Sequence, residues 1–353
     1  MAENIRMDSH KLVYHPETVA KWLKGENIYP IEIEVGLTNA CNHRCIFCAV
    51  DYTGYKPNQI DSQILIKNLE KLAPKGVKSI IYAGEGEPLL HREASDIINR
   101  TKSFGIDAAM STNGVLLSHE VSKECLKSLT WVRFSVAGIT NATYNKIQQG
   151  KPGDLAKVLS NIEAAVEVKQ EQKIRTTLGV QLLLLPDNKN EIVQMGKELK
   201  NIGIDYFTIK PFSQHPQSQH ILQVDYREMM ELEKEVQGLQ TDDFKVYFRA
   251  HSMQKLECKK CYEHCWALPF MVYMDAKGNL WPCIAFMGNE ELKYGNINEN
   301  SFVEIWEGNH RKKIVDYFMH LDLEKNCRKL CRLDEMNRYL EELKYPGEHV
   351  NFI

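Results

Sequence analysis

The alternation of strand-like and helix-like segments between residues 31 and 210 constrains the fold more than any other feature of the sequence. Short apolar or alternating runs at Ile31–Leu37, Lys78–Ala83, Asp107–Ser111, Trp131–Val136, Arg175–Leu185 and Tyr206–Lys210 read as strands. Helical periodicity fills the gaps at Gln63–Leu72, Ala94–Ser103, His119–Leu129, Leu155–Val168 and Ile192–Asn201. Six β/α units in succession predict an α/β fold, with a parallel sheet and helices packed outside it. Six is short of an eightfold barrel, so the expectation is a partial, open (β/α)6 barrel whose mouth admits a substrate. Reactive groups of such folds collect at the C-terminal ends of the strands. A cysteine triplet follows the first strand, Gly84–Pro88 the second, and Ser111–Gly114 the third. Ser135 ends the fourth strand and Lys210 the sixth.

The expected organisation is an extension over 1–30, the barrel core over 31–222 and a bridging helix and strand over 223–249. A cysteine-rich unit over 250–335 and a C-terminal helix and tail over 336–353 complete it. The polar segment PFSQHPQSQH, Pro211–His220, reads as a loop or linker, with a helix expected from Tyr226 to Gln237. A net charge of −3 gives no support for electrostatic binding to nucleic acid or to an anionic membrane. The N-terminal stretch MAENIRMDSHKLVYH has no apolar core of signal-peptide type, and no apolar run approaches the length needed to span a bilayer. The chain is therefore expected in the cytoplasm, where ten cysteines point to metal or redox chemistry rather than structural disulfides. Three of them lie within eight residues, Cys125 stands alone on an apolar helix face as a core thiol, and six lie between Cys258 and Cys331.

Cys41, Cys45 and Cys48 form C-x3-C-x2-C. Three thiolates on one loop can hold three irons of a cubane cluster and leave the fourth iron open to a small molecule. Zinc is the competing occupant, but structural zinc takes four protein ligands and no fourth Cys or His stands at ribbon spacing. His43, between two ligands, reads as a loop residue. The segment CNHRCIFCA resembles the signature of the radical S-adenosylmethionine (SAM) superfamily, with Phe47 at its aromatic position. The resemblance extends over about residues 31–210. It implies a [4Fe–4S] cluster that reduces SAM to methionine and a 5′-deoxyadenosyl radical, and an electron donor such as a flavodoxin or ferredoxin.

YAGEGEPLL is similar to the methionine-binding turn of that superfamily, with Glu85, Gly86, Glu87 and Pro88 at its four positions. Glu85 stands where glycine is usual, and Gly84 supplies flexibility beside it. Such a turn would present backbone carbonyls and a carboxylate to an ammonium group. Ser111 and Asn113 resemble the end of the family's third strand, and Ser135 the polar residue after its fourth. Gln181 is a further candidate for SAM contact. The acidic residue usual near Ser135 is replaced in Ser135-Val-Ala-Gly138.

In the C-terminal unit, Cys265, Gly278 and Cys283, followed by GNLWPC, YGNI and IW, resemble the auxiliary-cluster domain called SPASM or its shortened form, twitch. The resemblance implies one auxiliary [4Fe–4S] cluster on Cys265, Cys283, Cys327 and Cys331, with zinc as the competing occupant because C-x2-C-x3-C is also zinc-like. Cys258 and Cys261 stay unassigned, and Cys261 is a candidate hydrogen donor to a substrate radical. Lys210 and Arg249 are candidates to bind an anionic or hydroxyl-bearing substrate, and Lys210 is alternatively a candidate base if desolvation lowers its pKa. The implied chemistry is hydrogen abstraction followed by oxidation or epimerisation. Only about 40 residues precede the triplet, too few for a leader-binding domain, so the expected substrate is a small polar molecule: a sugar, aminocyclitol or nucleotide-linked sugar. Modification of a peptide or partner protein is the second reading, and a non-enzymatic iron–sulfur or zinc protein the third.

Overall fold

Parity along the first strand sets the architecture. In β1 (Glu32–Val35) Ile33 and Val35 are fully buried, whereas Glu32 and Glu34 point to the opposite face. The same split recurs in β2 (Ser79–Tyr82), β3 (Asp107–Thr112), β4 (Leu129–Ser135), β5 (Thr177–Leu184) and β6 (Tyr206–Pro211). Ile80, Tyr82, Met110, Val132, Phe134, Leu178, Val180, Leu182, Phe207 and Ile209 form the fully buried outer face under the helices. Ser111, Arg133, Ser135, Gln181 and Lys210 are only half-buried and belong to the inner face. A parallel sheet covered on both faces would be apolar on both; this one is apolar only where helices cover it, which leaves a polar lumen. The computed structural model describes residues 6, 7 and 9–352.

All six expected strands are present and pair in parallel in sequence order. The helices Ser62–Leu72, Ala94–Ser103, His119–Cys125, Asp154–Glu171 and Ile192–Ile202 lie within a few residues of expectation. Asp61, Ser118 and Thr140 cap helices by accepting from the backbone N–H of Ile64, Val121 and Thr143. The third of these caps a helix, Asn141–Gln148, that the sequence pattern does not reveal.

The sheet does not stop at six strands. β7 (Lys245–Phe248) pairs in parallel with β6, so the expected bridging strand is part of the core sheet. β8 (Met271–Met274) pairs in parallel with β1, and β9 (Asn279–Trp281) and β10 (Gly295–Asn296) follow antiparallel. One ten-stranded sheet runs β10-β9-β8-β1-β2-β3-β4-β5-β6-β7. The expected boundary at residue 250 therefore does not separate two cores: β8 would expose the unpaired edge of β1 if it swung away. The N-terminal helix Pro16–Leu23 joins the same assembly, with Trp22 packed on Trp266 and Phe270 at centroid distances of 5.9 and 5.8 Å.

The helix expected from Tyr226 is shorter, Leu232–Gln237. Tyr226 is buried instead, its hydroxyl accepting from Phe212 N–H at 2.6 Å and donating to the Leu184 carbonyl at 2.9 Å. Those two bonds hold the chain across the top of β5 and β6. The preceding Pro211–His220 segment is a loop, as expected, but an anchored one. Gln219 N–H donates to Asp51 at 2.8 Å, Ser218 to the Cys48 carbonyl, and the His215 ring stacks on Tyr52 at 5.2 Å.

Arg332 reaches the lumen from the far end of the chain. Its guanidinium bonds Glu34, and Glu32 at 2.9 Å. Removing it leaves two carboxylates one above the other on β1, one of them buried. Arg332→Ala is expected to lower stability by about 2–3 kcal/mol, below the full cost of a broken buried pair because the arginine is partly exposed. Urea unfolding checks this; an unchanged midpoint contradicts it.

Candidate cluster and cofactor site

Thr38, Asn39 and Ala40 carry the chain from β1 into the Cys41–Cys48 loop. The loop is tied down along its length. Ile46 N–H donates to the Ile147 carbonyl at 2.9 Å, and Cys48 N–H to that of Cys45 at 3.0 Å. Arg44 donates to the carbonyls of Cys41 and His43, both at 2.7 Å, and lies over the Tyr55 ring. His43 is buried against Asp154, Tyr144 and Gln148, and burial lowers its basicity. It is a loop anchor, as its position between two cysteines predicts. Phe47 packs with Ala137, Leu185 and Phe212 at the ends of β4, β5 and β6.

The Gly84–Pro88 turn presses against this loop. Gly86 has φ of +67°, and a Cβ there would stand 2.0 Å from the Thr38 carbonyl oxygen and 2.6 Å from that of Ala40. Glu87 N–H donates to the Ala40 carbonyl at 2.8 Å. The two carboxylates of the turn serve the framework. Glu87 accepts from Thr112 and from Asn113 N–H, each at 2.7 Å, which locks the end of β2 to the end of β3. Burial raises its pKa, against the pull of those bonds. Asn113 in turn donates to Asn42 of the cysteine loop at 2.7 Å.

Glu85 faces the other way, to the C-terminal unit. Its carboxylate accepts from Ala276 N–H, in the β8–β9 turn, and from Asn39 at 2.7 Å. Its own N–H donates to the Tyr273 hydroxyl at 3.1 Å, and Tyr273 fills the space a Cβ on Gly84 would need. So the residue that departs from the usual turn clasps it to the hairpin that leads to Cys283. Burial, first, raises the Glu85 carboxyl to about 7, opposed by the Ala276 bond. The folded protein then holds a proton that the unfolded chain releases above about pH 4.5, so this group favours folding in acid and loses that effect as pH rises through 7. Relative to Glu85→Gln, the wild-type chain is expected to lose stability between about pH 5 and pH 8. Urea midpoints of the two proteins at both pH values test this; a constant difference contradicts it.

Ser111, Ser135 and Gln181, in contrast, make no side-chain hydrogen bond among the described residues, and all three lie half-buried on the inner face. Ser135 and Gln181 are register partners, with Thr208 and Tyr247 next in the row. Asn39 Oδ1 is buried without a partner two residues before Cys41. Sequence reasoning missed Asn39, which stands outside the cysteine motif, and Arg133, whose only signal is one cation inside an alternating strand.

Burial and the neighbouring thiols raise the pKa values of Cys41 and Cys45. Burial raises Cys48 as well, although the Tyr55 hydroxyl bonds it. In the C-terminal unit, burial and then Cys331 raise the pKa values of Cys265 and Cys283, and a hydrogen bond with the Cys327 thiol, together with burial, raises that of Cys331. Thiols that disfavour each other's ionisation need a polycation between them to act as ligands, which an iron–sulfur core supplies. Among the described residues, no three His, Cys, Asp or Glu side chains converge on a point that one metal ion would fill. Several thiols in each set suit a cluster, which brings its own bulk and positive charge. Arg328 lies beside the second set; burial lowers its pKa, against the pull of Cys331, Cys283 and Cys327.

Cys258 and Cys261 are exposed; Cys258 bonds the Gln254 carbonyl, and Cys261 accepts from Arg338 at 2.9 Å. Cys261 stands in a loop outside the inner face, so its placement gives no support to hydrogen donation. Cys125 is fully buried, as expected of a core thiol.

Residues 35–209 match the radical SAM superfamily, and residues 265–332 match an iron–sulfur cluster-binding domain, SPASM. GTP 3′,8-cyclase from Clostridium acetobutylicum is 26% identical over 297 residues, covering 79% of this chain and 88% of its own length. AdoMet-dependent heme synthase from Methanosarcina barkeri is 24% identical over 290 residues, covering 77% of this chain and 80% of its own. Among solved structures, Streptococcus suis SuiB bound to S-adenosylmethionine superposes with a TM-score of 0.67 at 17% identity, over 87% of this chain and 72% of SuiB. At that identity the likeness is one of fold. No helix among the described residues is long and apolar enough to cross a membrane.

Proposed function

We propose, because the chain belongs to the radical SAM superfamily and carries a C-terminal SPASM domain, that it abstracts hydrogen from a small polar substrate in the lumen of the sheet. Its cofactors are SAM and [4Fe–4S] iron–sulfur clusters. Cys41, Cys45 and Cys48 would hold the cluster that binds SAM. When bound, that cluster supplies one electron to the sulfonium, and the C–S bond breaks to methionine and a 5′-deoxyadenosyl radical. The chain's own residues set the geometry: Gly86 brings the SAM turn against the cysteine loop, Glu87 fixes it to β3, and Asn113 ties β3 to Asn42. Turn carbonyls are left for the SAM ammonium, since both Glu85 and Glu87 carboxylates are bonded within the protein.

The observation that carries the reading is the polar inner face, where Ser111, Ser135 and Gln181 stand unbonded in front of the cysteine loop. Relatives named for GTP and for heme support a small molecule rather than a peptide. Cys265, Cys283, Cys327 and Cys331 would hold one auxiliary cluster, whose chemistry is an outlet for one electron. Oxidation, as of an alcohol to a ketone, suits such an outlet better than epimerisation. A flavodoxin or ferredoxin would supply the first electron.

The test uses a deuterated cell extract separated into small-molecule and peptide fractions and offered with SAM to the reconstituted enzyme. Deuterium in 5′-deoxyadenosine is expected from the small-molecule fraction. Deuterium from the peptide fraction alone would overturn the small-molecule reading.

A further inference from the structure

We propose, resting on the function proposed above, that Lys210 and Arg133 bind an oxyanion of the substrate, so that the molecule taken into the lumen carries a phosphate or a carboxylate.

Among the described residues, Lys210 and Arg133 on the inner face form no ion pair with its carboxylates. Lys210 lies close to Arg133, Arg328, Arg249 and Arg332, which span β4, the end of β7 and the C-terminal unit. The carboxylates on that wall are Glu32 and Glu34, and Arg332 engages both. Arg328 faces the auxiliary thiols and donates to the Ser213 carbonyl at 2.9 Å. Lys210 itself has neither a hydrogen bond nor an ion pair among the described residues. Arg133 has a buried Nε with no acceptor, and its guanidinium rests 5.0 Å from the Trp131 ring centre. A half-buried cation without a partner on a polar inner face is open to an anionic ligand.

The strand register sets where that ligand would lie. Arg133, Gly179 and Tyr206 are register partners across three strands. A Cβ on Gly179 would stand 2.0 Å from the Tyr206 ring, so that ring covers the middle strand in the row of Arg133. One turn of the pleat higher on the same face is Gln181, and above it the row that holds Leu183 and Lys210. Arg133 and Lys210, both long, therefore stand on either side of the row that holds Gln181 on the inner face. Burial and the neighbouring cations lower the Lys210 amine to about 7, and a bound anion would restore its charge. An oxyanion held there would leave the rest of the substrate toward the SAM turn. Charge-assisted bonds from two desolvated cations are the kind that select an anion over a neutral analogue.

The test is calorimetric titration of inorganic phosphate and, separately, of acetate into the reconstituted, SAM-bound enzyme. Wild-type protein is expected to bind at least one, and the stronger arm identifies phosphate or carboxylate as the group recognised. Lys210→Met and Arg133→Met should each weaken it about tenfold, while Lys210→Arg keeps it within about threefold. Lys210→Met should also melt higher than wild type, because a charge crowded by neighbouring cations is gone. No anion binding by wild type, unchanged affinity in Lys210→Met, or a lower melting temperature for that variant would each overturn the inference. 5′-Deoxyadenosine is measured on the same wild-type preparation. SAM cleavage without anion affinity defeats this inference alone; no SAM cleavage defeats the proposed function and this inference with it.

Discussion

Gly86→Ala is expected to weaken SAM binding about tenfold or more, the largest effect of any single methyl group in this chain. At φ of +67° an alanine strains the backbone by about 1–2 kcal/mol. The greater cost comes from where the methyl points. Its nearest neighbours are the carbonyl oxygens of Thr38 and Ala40, which are backbone and cannot rotate away. The turn and the cysteine loop must separate, and Glu87 N–H then loses the Ala40 carbonyl. A loss of 1.4 kcal/mol in SAM binding already gives tenfold. Gly76→Ala is the control, because Gly76 also has positive φ but open space around it. It should lose some stability and keep SAM affinity. Equal SAM affinity in the two variants, measured by equilibrium dialysis, would show that the turn does not position SAM.

The second large effect concerns metal content. A Cys41/Cys45/Cys48 triple-alanine variant is expected to keep about four irons per chain, and the wild type about eight. The complementary variant, with alanine at Cys265, Cys283, Cys327 and Cys331, should also keep about four. The two thiol sets lie in different parts of the fold, one on the loop after β1 and one spread over the C-terminal unit, so loss of one leaves the other intact. Near-zero iron with bound zinc in the triple variant would remove the auxiliary cluster.

Where sequence periodicity is strong, it located the structure well. The six strands and five helices of the repeating unit stand where apolar spacing places them, because each buries an outer face under helices. β7 and β8 were not legible as members of the same sheet. Each is only four residues long, and pairing between β8 and β1 joins positions far apart in the chain, which local spacing does not encode. The helix Asn141–Gln148 lacks a clear apolar stripe, and Tyr226 left helical structure for two hydrogen bonds across the top of the sheet.

The site divides in the same way. Its chemistry was legible in the cysteines, since ligand spacing within a loop is a local property. The roles of the polar residues were not. Glu85 and Glu87 look alike in the sequence, yet one clasps the β8–β9 turn and the other locks β3. Arg133 and the unbonded Asn39 carbonyl oxygen became visible only when strand parity and burial were combined. The cations around Lys210 likewise include Arg332 and Arg328, which come from the last part of the chain.

The most direct test of the central claim is formation of 5′-deoxyadenosine by the anaerobically reconstituted protein with SAM and dithionite. If Cys41, Cys45 and Cys48 hold the SAM-cleaving cluster, the wild-type chain forms 5′-deoxyadenosine and Cys45→Ala forms none. Equal product from Cys45→Ala, or no product from either protein, would contradict the account.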